Sequence, residues 1–562
     1  MDYKKEIAKL INIDGISNQE IESLITFPKD SGLGDYCLPC FKFAKLMKKS
    51  PVEIADGLKH SVKPSEYIDK VDSVSGYLNF TINKTVFIKE TVERIAAAKS
   101  DYGKSDEGKG KTICIDYSSI NIAKPFHIGH LSTTVIGAAL YRIYKFLGYN
   151  TIGINHLGDW GTQFGKLIVA YKLWGNKEKI ESDGIKAMLE IYVKFHEEAE
   201  KDDSLNDLAR AWFKRIEDSD EEALELFEWF KAITLKEVQR VYDRLDITFD
   251  SYNGESFYND KMEPILKEIE SKGLAKISNG ALIVDLEPYG MPPCLLKKAD
   301  GATLYATRDL AAAFYRKKTY DFDKCLYVVA YQQNLHFKQW FKVVELMGYP
   351  WAKNLIHVAF GMVSLEGSSL STRKGNVVFL EEVLDNAVKK AYDIICEKNN
   401  GLINKEEIAE QVGVGAVVFS ALANSRIKDI SFSYDKVLNF DGETAPYIQY
   451  THARCCSVLT RVAFCDGETD YQGLTNDEAF ELIKLLDRYP KVLADAAEKY
   501  EPSILTRYLI DVSQAYNRFY INHRIIDSPI AVRNARLKLT DCVREIISKG
   551  LGLLGIKSPN RM

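Results

Sequence analysis

The sequence has no run of 18 or more apolar residues, the length a helix needs to cross a bilayer. Its opening, Met1 to Leu10 (MDYKKEIAKL), sets Lys and Glu where a signal or transit peptide needs an unbroken apolar or acid-poor stretch. A soluble, cytoplasmic protein with no membrane partner is therefore expected. A surplus of positive charge is also missing. The 74 Lys and Arg stand against 79 Asp and Glu, a net charge of -5, which excludes a protein that coats nucleic acid through a uniformly basic surface. A local basic face remains allowed. Metal-site spacing is missing too: the ten cysteines are scattered, and the CxxC of Cys37 and Cys40 has no second CxxC or spaced His pair to complete a tetrahedral site. Reduced structural thiols and no tightly bound metal are the expectation.

What is present is enough chain for several cores, 562 residues with 46% hydrophobic and 27% charged. Helical patterning at Ile21 to Ile25 and Ile54 to Leu58 and an alternating strand at Tyr77 to Ile82 suggest a small α+β domain over residues 1–108, closed by the Gly- and Lys-rich linker 101–111. From Thr112 a buried strand (TICIDY) precedes a long amphipathic helix, Ile128 to Leu147, and a second strand, Thr151 to Asn155. Further strands are predicted at Leu326 to Ala330 and His357 to Met362. The order implies an α/β domain, 109–380, around a parallel sheet, with the charged helical stretch 185–245 inserted between its halves. Strand signals fade after Leu380, so 381–562 is expected to be all-α. Within it, residues 501–562 carry ten Lys and Arg against five Asp and Glu, a face that could meet phosphates as readily as solvent.

The sharpest local feature is SSINIAKPFHIGHL, Ser118 to Leu131. It leaves a strand and opens a helix. His127 and His130, three apart, fall on one side of the first turn, where the helix N-terminus favours an anion. Gly129 between them lets a flat base or sugar approach the backbone, and Lys124 adds positive charge. Such a group suits attack by a carboxylate on an α-phosphate, which asks the protein to position reactants and neutralise growing phosphoryl charge. Two histidines merely capping a helix would leave the same short pattern.

The segment resembles the HIGH signature of class I aminoacyl-tRNA synthetases, in the form found in the arginyl-tRNA synthetase family. HLGDWGTQFG (156–165), YATRDLAA (305–312), QQNLH (332–336), LSTRKGNV (370–377), PYIQYTHAR (446–454) and the ending LLGIKSPNRM are similar to that family's segments in the same order, over essentially the whole chain. The resemblance implies a Rossmann-like catalytic domain, an N-terminal domain meeting the tRNA elbow and a helical anticodon-binding domain. It implies ATP binding by His127, Gly129, His130 and the strand carrying Val358, Phe360 and Met362. Lys124, His127 and His130 would stabilise the pentavalent phosphate. The mobile K-M-S-K-S loop is altered here to Ser371, Thr372, Arg373, Lys374 and Gly375, leaving open whether Arg373 or Lys374 meets the pyrophosphate. Ile120 stands where related sequences usually have Pro, and Ala445 where Gly is commoner.

A guanidinium asks for planar carboxylate partners. By resemblance these are Glu255 and Asp309, with Asn121, Tyr305 and Gln333 holding the remaining polar groups of arginine. From residues alone, Asp309 is indistinguishable from a helix N-terminal acid paired with Arg308, and that is the reading the residues favour. Tyr447 and Tyr450, interleaved with His452 and Arg454, offer stacking and charge to unstacked anticodon bases, joined by the terminal Met562; Asn79 and Phe80 resemble the elbow contact. The implied function is an arginine-tRNA ligase acting on tRNA(Arg), L-arginine and ATP with Mg2+, as a monomer, with tRNA bound before arginine is activated. A small-molecule nucleotidylyltransferase and a non-catalytic RNA-binding relative are the other classes compatible with the motif.

Overall fold

The computed structural model describes residues 3–28, 30–122, 124–299, 303–365, 378–399, 401–462 and 467–562. Contacts gather into two units: Met1–Tyr102 with Cys455–Arg488 and Gln514–Ile546, and Gly103–Arg454 with Tyr489–Ser513 and Ile547–Met562. Among the described residues no helix is long and apolar enough to cross a membrane.

The first unit contains an antiparallel sheet in the order Tyr36–Pro39, Tyr77–Ile82, Ile68–Val74. The central strand has the bounds its alternation predicts, and it buries Leu78, Phe80 and Ile82. Helix Pro51–Ser61 starts where Ser50 and Glu53 form a reciprocal capping box and Pro51 pre-sets the first turn. Its Ile54, Ala55 and Leu58 are buried, the helix lying against the strands Ile68–Val74 and Tyr77–Ile82. Helix Lys84–Ala98 meets the C-terminal helices of the same unit through the Phe87–Phe480 ring contact at 5.8 Å and the pairs Arg94–Asp487, 2.5 Å, and Lys538–Glu93, 2.6 Å.

In the second unit a four-stranded parallel sheet runs Leu355–His357, Lys324–Tyr327, Thr112–Asp116, Asn150–Ile154. Strands far apart in the sequence thus meet in one sheet, and helices Thr162–Trp174, Ile185–Ala199, Ser204–Glu217 and Glu221–Arg244 come between them in the chain. This is the doubly wound, Rossmann-like arrangement expected of the sequence.

Several details differ from the sequence reading. The long helix begins as a 3-10 turn, Ile128–His130, and becomes α-helical only over Leu131–Phe146. It is not amphipathic: all its residues but Tyr141, Arg142 and Lys145 are buried, because helices Lys405–Leu422 and Tyr489–Glu498 pack on it as well as the sheet. The strand expected over His357 to Met362 is Leu355–His357. After Val358 N–H donates to Tyr327 O (2.9 Å), the backbone changes partners: Gly361 N–H goes to Arg426 O (2.7 Å) and Met362 N–H to Asp429 Oδ1 (2.7 Å). The chain then forms Val363–Leu365, parallel to Ile430–Phe432, a strand beyond residue 380 that the fading signal missed. An antiparallel sheet, Ala275–Ser278, Ala281–Val284 and Cys294–Lys297, was likewise not read from the sequence.

Candidate active site

The site forms at the C-terminal edge of the parallel sheet. Ser118 and Ser119 leave the first strand in the left-handed region, at φ 67° and 42°, a strained turn for non-glycine residues. Side-chain bonds hold it: Ser118 Oγ lies 2.9 Å from Thr134 Oγ1 and 2.7 Å from Tyr242 OH, and Ser119 Oγ donates to Asp116 Oδ1 at 2.5 Å. Asn121 follows, bridged to Gly158. A Cβ at 158 would lie 2.5 Å from Asn121 Oδ1, so only glycine lets the two segments close up.

His127 caps the 3-10 turn. Its Nδ1 accepts from Gly129 N–H at 3.1 Å, while His127 N–H donates to His130 Nδ1 at 3.2 Å; the ring centroids are 4.0 Å apart. Burial, then the Lys124 charge, pushes His127 down to about 4. Burial, then His127, pushes His130 down to about 3. Both rings are therefore neutral at pH 7. Since each Nδ1 accepts, each Nε2 carries the hydrogen and is left as a hydrogen-bond donor. The turn is clasped from the far side of the basic loop: Ile128 N–H donates to Val378 O (3.1 Å) and Leu380 N–H to Phe126 O (2.9 Å). Arg373 and Lys374 themselves lie outside the described residues.

The carboxylates come from two other elements. Glu255 opens a 3-10 turn, Glu255–Lys261, and its N–H donates to Leu157 O at 2.9 Å. Asp309 lies in the first turns of helix Tyr305–Tyr320, which the buried pair Arg316–Asp116 (2.7 Å) ties to the first strand. Burial raises Glu255 to about 7; Arg308 opposes this, and Asp309 and Asp159 add to it. Arg308 Nη1 lies 3.9 Å from Glu255 Oε2, an ion pair too long for a hydrogen bond. Asp309 Oδ2 instead accepts from His336 Nε2 at 2.5 Å, so the sequence reading of Asp309 as partner of Arg308 is replaced. Lys124 lowers the proton affinity of both histidines and of Glu255. Tyr305 is 68% exposed at its helix start, and Gln333 is exposed at the end of the turn Tyr331–Gln333. His336 and Arg308 were not picked out as site residues, although QQNLH and YATRD contain them.

Val358 and Phe360 are buried and Met362 is 37% exposed. Phe360 O accepts from Tyr331 N–H (3.0 Å) and Met362 O from Ile430 N–H (2.8 Å), so much of this backbone is occupied internally. Among the described residues no three or more His, Cys, Asp or Glu gather to hold a metal ion, and Cys37 and Cys40 are buried thiols.

Away from the centre, Tyr450 is 43% exposed with the Arg454 guanidinium 4.9 Å from its ring centroid, and Tyr447 is half-buried. His452 is a correction: it is buried, its Nδ1 3.1 Å from Pro559 O, and acts on the tail rather than as a stacking surface. Gln449 Nε2 donates to Lys557 O at 2.7 Å, and Met562 packs on the cluster of Ala391, Ile395 and Ile408. In the first unit Asn79 is buried with Nδ2 unpartnered, and the fully buried Phe80 ring belongs to the sheet core, so it offers RNA no face. Trp160 packs on Phe213 and Phe227, ring centroids at 5.3 and 6.3 Å.

A parallel nucleotide-binding sheet with a neutral HIGH histidine pair at its first crossing and a helical C-terminal region defines a class I aminoacyl-tRNA synthetase. Residues 91–434 match the profile "tRNA synthetases class I (R), catalytic domain", 448–562 the "DALR anticodon binding domain" and 2–82 the "Arginyl tRNA synthetase N terminal domain". The chain is 52% identical over 565 residues to the arginine--tRNA ligase of Alkaliphilus metalliredigens and 53% over 564 residues to that of Clostridioides difficile, with 100% of both chains covered in each case. Thermus thermophilus arginyl-tRNA synthetase is similar in structure with a TM-score of 0.79 at 25% identity, covering 96% of each chain. The Plasmodium falciparum arginyl-tRNA synthetase shares the fold at a TM-score of 0.78 and 22% identity, covering 100% of this chain and 98% of that one. The chain belongs to the arginyl-tRNA synthetase family.

Proposed function

We propose that the chain is an arginine-tRNA ligase whose site works in two steps. The carboxylate oxygen of arginine attacks the α-phosphorus of ATP, and the bond to the pyrophosphate oxygen breaks, giving arginyl adenylate. A hydroxyl of the terminal adenosine of tRNA(Arg) then attacks the arginyl carbonyl and AMP leaves. The Nε2–H groups of His127 and His130, with Lys124, stabilise the charge that grows on the α-phosphoryl oxygens; being neutral, the imidazoles donate without changing protonation state. Arg373 or Lys374 meets the departing pyrophosphate. Glu255 and Asp309 select the guanidinium, while Asn121, Tyr305 and Gln333 hold the other polar groups of arginine. Magnesium comes with ATP as part of the substrate.

The observation that carries this reading is the largely enclosed Glu255, its side chain 14% exposed, paired with Arg308 at 3.9 Å and in the field of Asp309, Asp159 and Lys124. Amino acids lacking a guanidinium give Glu255 no hydrogen-bonded cation beyond the 3.9 Å pair with Arg308, a loss that supports selection by binding alone. Tyr447, Tyr450 and Met562 are offered to the anticodon, whereas Asn79, buried like Phe80, is not carried forward as an elbow contact; the chain works as a cytoplasmic monomer. Arginine-dependent exchange of labelled pyrophosphate into ATP, run with and without tRNA, tests the function. Exchange with arginine and tRNA present supports it, and none under those conditions refutes it. Exchange without tRNA removes only the expectation that tRNA binds first.

A further inference from the structure

Glu255 has little freedom of its own, and the reason lies in a buried acid outside the group assigned to substrates. Asp159, in the GDWG segment, has a side chain only 1% exposed. Its Oδ1 accepts from Ser256 N–H at 2.9 Å, and its Oδ2 from Ser256 Oγ at 2.7 Å and Lys231 Nζ at 2.8 Å. A carboxylate taken out of water is retained only when its oxygens are satisfied, and three donors meet that need here. Next to it, Glu255 N–H is bound by Leu157 O at 2.9 Å. Two successive backbone N–H groups, at 255 and 256, are thus fastened to the loop that follows the strand Asn150–Ile154. Gly254 permits the approach: a Cβ there would stand 2.5 Å from Asp159 Oδ1 and 2.6 Å from Leu157 O. Lys231, from the inserted helix Glu221–Arg244, completes the clamp.

We infer that Asp159 is the positioning residue for arginine recognition, holding the 254–256 turn so that the Glu255 carboxylate meets the guanidinium, with Lys231 fixing Asp159 in turn. The inference rests on the assignment of Glu255 to the guanidinium. With its side chain 1% exposed, Asp159 acts through the turn rather than at the substrate. Its charge alone would act in the opposite direction, because Asp159 raises the proton affinity of Glu255, as Asp309 does, against Arg308 and Lys124. Removing only a field would leave Glu255 more ionised and arginine bound more tightly; removing a clamp would bind it more weakly.

The test uses the full-length chain in pyrophosphate exchange with tRNA present. Asp159→Asn keeps the shape but loses the acceptor for Ser256 Oγ and Lys231 Nζ. The expected result is an arginine KM raised about tenfold or more with the ATP KM within about twofold, while the acid-side midpoint of the arginine affinity moves to lower pH. Ser256→Ala, which leaves Asp159 paired with Lys231, is expected to give a smaller rise confined to arginine, and serves if the Asp159 variant does not fold. An unchanged or lowered arginine KM, or equal rises for arginine and ATP, overturns the inference. Wild-type chain that shows no exchange with arginine overturns the functional assignment instead.

Discussion

At the scale of single residues, the protonation states do much of the explaining. His127 and His130 sit so low, at about 4 and 3, that neither titrates in the physiological range. Glu255, raised to about 7, does. Arginine needs the ionised form, so its affinity in pyrophosphate exchange is expected to rise with pH through about 7 and level off above; in Glu255→Gln that step disappears and the KM at pH 8 is higher. Stability moves oppositely. A carboxyl whose folded pKa is raised above its unfolded value of 4.5 loses stability as pH climbs from about 4.5 to about 7 and stays level beyond. Thermal denaturation of Glu255→Gln should thus show a gain over wild type at pH 8, on the order of 1 to 3 kcal/mol, and little at pH 4.5. Much of this was beyond the sequence. HxGH names two imidazoles, but the tautomers depend on backbone N–H groups that only the 3-10 turn brings to Nδ1. Likewise, His336 as the partner of Asp309 follows from two helices meeting, which no spacing encodes.

Elements explain the glycines and the misplaced boundaries. The strand and helix order of the parallel sheet was legible because buried parallel strands read as short apolar runs. Helix Leu131–Phe146 was misread as amphipathic for a related reason: a helix covered on several sides keeps no clear polar face. The strand after His357 was overextended because its apolar residues continue while its hydrogen bonds change partners at Gly361. In HLGDWGTQFG, Gly165 sits where helix Thr162–Trp174 crosses Ser204–Glu217, and a Cβ would lie only 1.9 Å from Ala209 O. Backbone cannot yield as a side-chain tip can, so Gly165→Ala is expected to cost about 1 to 3 kcal/mol, read as a lower unfolding midpoint. An unchanged midpoint would mean that the inserted helices are free to slide. Cys37 and Cys40, expected as structural thiols, are buried in the first unit.

For the whole molecule, a net charge of -5 is compatible with a nucleic-acid substrate because the chemistry needs one structured RNA rather than a coated surface. The C-terminal segment enters the second unit directly: Lys557 O and Pro559 O are bound by Gln449 and His452, and Met562 covers part of an apolar cluster. Removing residues 557–562 is expected to weaken tRNA binding, measured by filter retention or electrophoretic shift, while leaving ATP binding close to wild type; equal affinity for tRNA would show that the tail is only a cap. The resemblance of LLGIKSPNRM offered Met562 as an anticodon contact, whereas the clasp of residues 557 and 559 on helix Ala445–Arg461 needed the structure. The most direct measurement is charging itself: full-length chain, Mg-ATP, tRNA(Arg) and labelled arginine, with lysine and Asp309→Ala as controls. The expected result is ATP-dependent arginine on the tRNA, none with lysine, and an arginine requirement in Asp309→Ala raised far more than the ATP requirement. Absence of arginyl-tRNA from the wild-type chain, or equal charging with lysine, would contradict it.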